Sequence, residues 1–392
     1  MIDIRAFRHE PRPFLDGAKR KGAFQQALDL LNADEEWRAH VASVDDLRAQ
    51  QKIDGKPTPE QLDRLQEIKR KLKSAESELA DAAARRDELL QQVPNPPHES
   101  VPDEDDAIRH WGEPPQLEHP KDHLELGRFD MERAAKVSGA RFGYMVGDTA
   151  LLALALYRFA LDRLVARGVT PVLPPVLVRE EAMYGTGFFP SEKHDYYEIP
   201  ADGLYLVGTS EVPLAGLHMG EILEELPLRY CAFSSCFRRE AGAAGRDTRG
   251  MFRVHQFEKV EMFVWSPPDE SWDEFERLLA IEEELVQELG LPYRVLNIGA
   301  GDLSASAAKR YDIEAWFPSQ ERYREITSCS NTTDFQARRL GTRFRRDGKP
   351  ETPHTLNGTA ATGRWALAIL ENFQGEVPEA LRSYGAPATV TR

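Results

Sequence analysis

The sequence predicts an α+β protein in two parts. Residues 1–103 read as an amino-terminal antiparallel helical coiled-coil hairpin with its linker, and residues 104–392 as a larger domain mixing strands and helices. Leu65, Ile68, Leu72, Ala75, Leu79, Ala82, Arg86, Leu89 and Val93 alternate spacings of three and four, nine consecutive a/d positions with one charged interruption. VPNPPHESVPDEDD, residues 93–106, cannot continue a helix and reads as a linker. Beyond it, apolar runs of strand and helix length follow one another without regular βα alternation. No G-x-G-x-x-G follows a strand and no Walker loop occurs, so a dinucleotide-binding or P-loop fold has no support.

The hairpin reads as two long helices between Leu28 and Val93, the first offering Leu30, Trp37, Val41, Val44 and Leu47 at comparable spacing. IDGKPTP, residues 53–59, places a glycine and two prolines where the chain must turn back. At ~1.5 Å per residue the second helix would reach about 50 Å. Arg48, Lys52, Lys56, Arg64, Lys69, Arg70, Lys71 and Lys73 fall on its exposed positions. Taken alone these are the solvated flank of a coiled coil; a row of cations along a rod also suits the backbone of a polyanion.

The net charge of −15 does not exclude such a partner, because phosphate binding needs a local basic patch, not a basic whole. It does argue against indiscriminate binding, and DNA is not an expected partner. No apolar run approaches the ~18 residues of a membrane span. The amino terminus, MIDIRAFRHEP, is charged from its third residue, unlike a secretory signal. Three cysteines (Cys231, Cys236, Cys329) are too few and too irregular for a disulfide framework or zinc ribbon. The expectation is a cytoplasmic protein without membrane contact.

The chemistry concentrates in Cys231–Trp265, two apolar runs flanking a loop of glycines and charges. Side chains two apart point to one face of a strand, so Phe257, Lys259 and Glu261 share a face: an aromatic plate, a cation and a carboxylate. With Arg238, Arg239 and Glu240 closing the first run, an antiparallel pair can hold a purine, a phosphate and an ammonium together. Lys259 by itself reads as an exposed strand cation, paired along the sheet. Thr209-Ser210-Glu211 reads alone as a helix N-cap. YREITSCSN, residues 323–331, reads alone as a polar turn, yet Glu325 and Ser328 are hard oxygen ligands suited to magnesium. In TLNGTAATGRWALAILENFQ, residues 355–374, the small run GTAATG reads as a loop where backbone meets ligand closely. Arg364 then opens an apolar helix whose positive end favours phosphate.

Arg238-x-Glu240, a loop, then Arg253-x-x-x-Phe257-x-x-x-Glu261 resembles motif 2 of class II aminoacyl-tRNA synthetases (here about 229–264). The wording FRREAGAAGRDTRGMFRVHQFEKVE resembles the bacterial-type seryl-tRNA synthetases in particular. The apolar helix from Thr149 to about Arg167 with the strand TPVLPPVLV resembles motif 1 (149–178), which builds the class II dimer interface, and residues 355–374 resemble motif 3. PKDHLELG (120–127), AAKVSGARF (134–142), GTGFFP (185–190), GDLSASAAKRYDIEAWFPSQ (301–320) and FQARR (335–339) extend the resemblance along nearly the whole chain.

The resemblance implies an antiparallel-sheet catalytic domain with flanking helices, a homodimer, ATP as substrate with Mg2+, and serine ligation to tRNA(Ser), with tRNA(Sec) as a further candidate acceptor. It implies that Arg238 bridges the substrate carboxylate and the α-phosphate, that Glu240 meets the adenine amino group, and that Phe257 stacks on the ring. Arg239, Val254, Ile326 and Thr327 complete the ATP site, Glu325 and Ser328 hold the metal, and Arg364 grips the β/γ-phosphates. Thr209, Ser210, Glu211, Glu261, Asn357 and Thr359 receive serine, Glu261 at its ammonium and Asn357 and Thr359 at its hydroxyl. The loop AGAAGRDTRG, with Arg246 and Arg249, orders over the tRNA acceptor end, and the hairpin binds tRNA.

The chain departs from the family pattern in three ways. Asn357 to Arg364 spans seven positions, one fewer than in many members; Thr359 stands where many have serine; and the hairpin is shorter than in typical bacterial members. Rival readings are a paralogue feeding seryl-tRNA to a biosynthetic pathway, a ligase loading a carrier protein, and a non-catalytic tRNA-binding protein. The hairpin argues against the second, and the presence of Arg238, Glu240, Glu261, Glu325 and Arg364 against the third.

Overall fold

In the computed structural model, which describes residues 1–52, 58–241 and 250–392, Met1–Pro96 forms one unit and Pro97–Arg392 another. The first unit opens with two helices that the sequence did not announce, α1 (Ile4–His9) and α2 (Pro11–Arg20). Asp3 caps α1 by accepting from the Arg5 and Ala6 N–H groups, and Phe7 is buried against Phe14. The hairpin follows as α3 (Phe24–Gln50) and α4 (Pro59–Gln92), α3 beginning four residues before the expected Leu28. Asp34 of α3 is buried, and its carboxylate is satisfied by Arg8 of α1 at 2.8 Å and by Arg38 at 3.2 Å.

Thr58 starts α4 with a capping box: its hydroxyl accepts from the Gln61 N–H while the Gln61 side chain accepts from the Thr58 N–H. Most of the predicted turn, residues 53–57 with Lys56, lies outside the described residues. Along α4 the heptad is the buried stripe. Ile68, Ala75, Ala82 and Val93 are buried, and Leu65, Leu72, Leu79 and Leu89 are half-buried, facing Leu30, Trp37, Val41, Val44 and Leu47 of α3. The charged interruption has a partner there: the Arg86 guanidinium lies 4.0 Å from the centre of the Trp37 ring. Arg64, Lys69, Arg70 and Lys73 are exposed, while Arg48 pairs with Glu76 across the helices and Lys71 with Glu67 along α4.

The second unit is built on an eight-stranded sheet of β1 (Asp106–Trp111), β2 (Thr170–Val172), β3 (Leu228–Phe237), β4 (Gln256–Ser266), β5 (Tyr293–Asn297), β6 (Lys309–Phe317), β7 (Arg322–Asn331) and β8 (His354–Thr362). The spatial order is β1-β5-β6-β7-β8-β4-β3-β2, antiparallel throughout except for β2 beside β3. Helices α5 (Asp148–Ala166), α7 (Ser271–Glu288) and α8 (Gly363–Asn372) cover one face, packing on Val260, Met262, Ile313, Ala360 and Ala361. On the other face a short α6 (Glu211–Gly216) and the helix Phe335–Leu340 cover only the Ala232, Phe263 and Trp265 end. The uncovered remainder carries the site.

TPVLPPVLV is not one strand. Pro174 and Pro175 offer no N–H, and Leu177–Arg179 instead joins a separate small sheet with Leu204–Leu206. Helix α5, apolar on most faces, buries Leu152, Leu156 and Phe159 yet leaves Leu151 46%, Leu154 59% and Val165 47% exposed. All three cysteines are buried and free. No described helix is long and apolar enough to cross a membrane.

Candidate active site

Strand β4 sets Phe257, Lys259 and Glu261 on the uncovered face, opposite Cys236, Ser234 and Ala232 of β3. Its other neighbour, β8, is irregular. Lys259 pairs with Thr362, Val260 with Ala361 and Glu261 with Thr359, so Ala360 is an extra residue. Ala360 and Ala361 therefore both face the core, and Thr359 and Thr362, three apart, share the site face. A second bulge lies in β7, where Thr327 opposes Ile313 and Glu325 opposes Glu314, leaving Ile326 extra. A regular strand puts residues three apart on opposite faces; the bulge returns Glu325 and Ser328 to one face, beside Asp312 and Glu314.

Two readings from sequence are corrected here. GTAATG is not a loop: Gly358–Thr362 is the second half of the central strand β8 and Gly363 opens α8, while YREITSCSN is a strand rather than a turn. The small residues still have a purpose: a Cβ on Gly358 would lie 2.9 Å from Glu282 Oε1 and 3.0 Å from the Met262 methyl.

A cleft of about 640 Å³ brings together Arg238, Glu240, Val254, Phe257, Glu325, Ile326, Thr327, Ser328, Thr359 and Arg364. Arg238, at the end of β3, donates to the Gly208 carbonyl at 3.2 Å, its guanidinium 5.4 Å from the Phe257 ring centre. Glu240 has a positive φ of 52° and pairs with Arg253. Arg239 stands apart, exposed over the Tyr197 ring. Arg364 is the second residue of α8. Its Nε donates to the Phe252 carbonyl and its Nη1 to the Glu325 carbonyl, with the Glu325 carboxylate 3.3 Å away.

Burial would raise the Glu325 carboxyl, but Arg364, Arg310 and Arg238 outweigh it and hold that group below the ordinary range. Burial pushes Asp312 up to about 6, with the Arg310 guanidinium opposing. Phe252, Arg310 and Asp312 received no role from the sequence. Nothing in their local spacing marks them: the fold of residues 250–255 brings Phe252 to the cleft, and the register of β6 sets Asp312, paired with Arg310, opposite Ser328.

Beyond that lining lie Thr209, Ser210, Glu211, Glu261 and Asn357, with Lys259, itself part of the lining, between them and the cleft. Ser210 precedes α6, and its hydroxyl bonds that of Ser234 at 2.6 Å. Thr209 Oγ1 accepts from the Glu211 N–H at 3.1 Å and from Lys259 Nζ at 2.7 Å, and donates to Glu261 Oε2 at 3.2 Å. Lys259 also pairs with Glu261, and both are buried, so Lys259 is not the exposed strand cation its isolated context suggests. Glu211 Oε1 accepts from Asn357 Nδ2 at 2.9 Å and from Gln336 Nε2 at 2.7 Å; Gln336, wholly buried, is a further residue the sequence did not mark. Burial, then the like charge of Glu261, push Glu211 up to about 7. Burial also raises Glu261, against the pull of Lys259.

Behind the sheet, Glu282 of α7 is wholly buried against Gly358. Burial, then Glu261 and Asp312, push its carboxyl well above the ordinary 4.5. Its folded value lies above its unfolded one, so its contribution to stability is present below pH 4.5 and declines as pH rises toward the raised value. Glu282→Gln is therefore expected to be more stable than the wild type at neutral pH, the gap closing toward pH 4.5. Urea unfolding of both proteins across pH checks this, and parallel curves would refute it.

This sheet, with an arginine at a helix start and a buried carboxylate pocket beside a cleft of about 640 Å³, defines a class II aminoacyl-tRNA synthetase core. Residues 197–373 match the tRNA synthetase class II core domain (G, H, P, S and T), and residues 1–97 match the seryl-tRNA synthetase N-terminal domain. A serine–tRNA ligase of Thermobifida fusca is 50% identical over 98% of this chain and 97% of its own length, and one of Mycolicibacterium vanbaalenii 47% over 100% and 99%. The seryl-tRNA synthetase of Pyrococcus horikoshii, complexed with ATP, matches with a TM-score of 0.93 at 40% identity over 100% of both chains. The cytoplasmic serine–tRNA ligase of Naegleria fowleri, in complex with AMP, matches at 0.91 and 34%, over 100% of this chain and 99% of its own. The chain belongs to the seryl-tRNA synthetase family.

Proposed function

We infer that this chain activates serine with ATP and transfers it to tRNA, as a serine–tRNA ligase. The observation that carries the reading is one continuous sheet face bearing Arg238, Phe257 and Glu325 beside the buried Thr209–Glu261 pocket. The ATP and AMP held by the two solved relatives support ATP as the substrate.

The serine carboxylate is already ionised, so no general base is needed. One carboxylate oxygen bonds to the α-phosphorus as the bond to pyrophosphate breaks, and catalysis is positioning plus charge stabilisation. Arg238 bridges carboxylate and α-phosphate, a task for which a planar fork of donors is suited. Phe257 stacks on adenine, Glu240 accepts from its amino group, and Arg364 holds the β/γ-phosphates. Magnesium suits Glu325 and Ser328, which the bulge at Ile326 puts on one face and whose carboxylate stays ionised. When bound there it would neutralise phosphate charge.

Glu261 and Thr209 take the serine ammonium, and Asn357 and Thr359 its hydroxyl. A buried polar partner for that hydroxyl rejects alanine and glycine, which would leave it unpaired. In the second step the terminal ribose hydroxyl of tRNA attacks the seryl carbonyl and AMP leaves. We place the tRNA-binding arm at residues 1–103 and the catalytic domain at 104–392, with tRNA(Ser), and tRNA(Sec) as a further candidate, as acceptor. The acceptor-end loop with Arg246 and Arg249 lies largely outside the described residues, which omit 242–249. The exposed Leu151, Leu154 and Leu173 support a homodimer through motif 1, and we place its action in the cytoplasm.

ATP–pyrophosphate exchange on the purified protein, without tRNA and across the twenty amino acids, tests the reading. Exchange with serine alone is expected; exchange with none would overturn every catalytic role above.

A further inference from the structure

We propose that Lys259 is an internal stand-in for the substrate ammonium: in the free enzyme its Nζ occupies the subsite between Thr209 and Glu261, and serine enters by exchanging its own ammonium for it. The inference rests on the assignment of Thr209 and Glu261 to the serine ammonium.

The geometry is specific. Lys259 lies two residues from Glu261 on the same face of β4, so both side chains rise into the same pocket. Its Nζ donates to Thr209 Oγ1 at 2.7 Å and pairs with Glu261, so it takes both partners assigned to the ligand. Thr209 Oγ1 is turned to suit a cation: it accepts from Nζ and from the Glu211 N–H while donating to Glu261. Lys259 is only 7% exposed, so it is no solvated strand cation resting nearby.

Charge explains why a stand-in is needed. The groups that interact with the Lys259 ammonium are Glu261 on its own strand, Glu211 at the start of α6 and Cys236 of β3; Arg238, just past β3, bears on Glu261, Glu192 bears on Glu211, and Glu282 bears on Glu261 through the sheet. An empty pocket holding two buried carboxylates and no nearby ammonium would protonate one of them. A protonated Glu261 is a poor receiver for an ammonium. Lys259 pulls the Glu261 carboxyl toward its ionised form and keeps the pocket pre-formed, and its flexible four-carbon stem lets Nζ withdraw. Entry then swaps one ammonium for another, moving no proton. The swap also sharpens selection. An amine that offers only its ammonium gains nothing over Lys259, whereas serine adds a carboxylate and a hydroxyl.

The test compares the wild type with Lys259→Met, which removes the cation, and Lys259→Arg, which keeps it. Serine-dependent exchange gives KM for serine and for ATP between about pH 6.5 and 8.5. The wild type and Lys259→Arg should show a serine KM nearly flat with pH. In Lys259→Met that KM should fall below the wild-type value at the alkaline end, where no competitor remains. It should climb by up to about tenfold per pH unit once Glu261 holds a proton. The change should fall on serine KM rather than ATP KM, and serine binding to Lys259→Met in calorimetry should release a proton to buffer. A serine KM raised by one factor at every pH, without proton release, would make Lys259 a fixed wall of the pocket and overturn the proposal.

A second measurement needs no variant. Acylation of Lys259 in the wild type, read by mass spectrometry, should increase when serine is added, and protection by serine would overturn the exchange. If the wild type itself shows no serine-dependent exchange, the failure lies with the proposed function.

Discussion

Arg364→Ala is expected to lower kcat/KM for ATP in serine-dependent pyrophosphate exchange by roughly 10²–10³-fold, the usual loss when one charge-stabilising donor leaves a pre-organised site. The fold should survive, because Arg364 lies at the open start of α8 and buries no apolar core of its own. The variant should also gain a pH dependence. Burial raises the Glu325 carboxyl, and Arg364 is the first of the cations that keep it down. Without Arg364 the carboxyl rises, so Glu325, the proposed magnesium ligand, should become protonated as pH falls, and activity should recover partly toward higher pH. Arg364→Lys restores charge but not the planar fork that reaches the Phe252 and Glu325 carbonyls, and should rescue only in part. Exchange at wild-type rates in Arg364→Ala would remove this residue from the ATP site.

Shortening the hairpin should have the opposite profile. Residues 40–80 can be cut back and closed by a short glycine turn, because His40 Nδ1 lies only 3.8 Å from Glu78 Oε2 and the helices run side by side there. The base of the arm keeps α1, α2, the Arg8–Asp34–Arg38 cluster and the Trp37–Arg86 stack. The exposed Arg64, Lys69, Arg70 and Lys73 are removed together. Charging of tRNA should be abolished while adenylate formation proceeds as in the full chain. With the full chain, charging should weaken steeply with salt, since each phosphate neutralised contributes about −0.7 to −0.9 to the slope of log K against log salt. Normal charging by the shortened protein would strip the arm of its role; loss of exchange would show instead that the cut damaged the second unit.

How much of this was legible depended on where each signal is written. The α4 stripe was readable because a coiled coil records its buried face as a heptad, and even Arg86 fitted once Trp37 stood opposite. Helices α1 and α2, of six and ten residues, are too short to show a period, and α1 is tied down through Asp34, far along the chain. Phe257, Lys259 and Glu261 were legible as one face because alternation is local. That Lys259 is buried was not, since it depends on Thr209 arriving from a different segment. The resemblance named Glu325, Ser328 and Thr359, but no spacing rule would put residues three apart on one face of a strand. That information belongs to the pairing of β6 with β7 and of β4 with β8.

Those two irregularities carry a consequence for inheritance. A gene that lost the single codon for Ile326 or for Ala360, in frame, would leave strands that pair more regularly than before. Glu325 and Ser328, or Thr359 and Thr362, would then stand two apart instead of three, and a regular strand puts residues two apart on one face. Glu325 would still oppose Glu314, and Thr359 would still oppose Glu261. A search that fixed the interval between motif residues would score such an allele as broken. What is inherited at these positions is the partner each residue meets across the ladder, and the count of residues between them is free to drift.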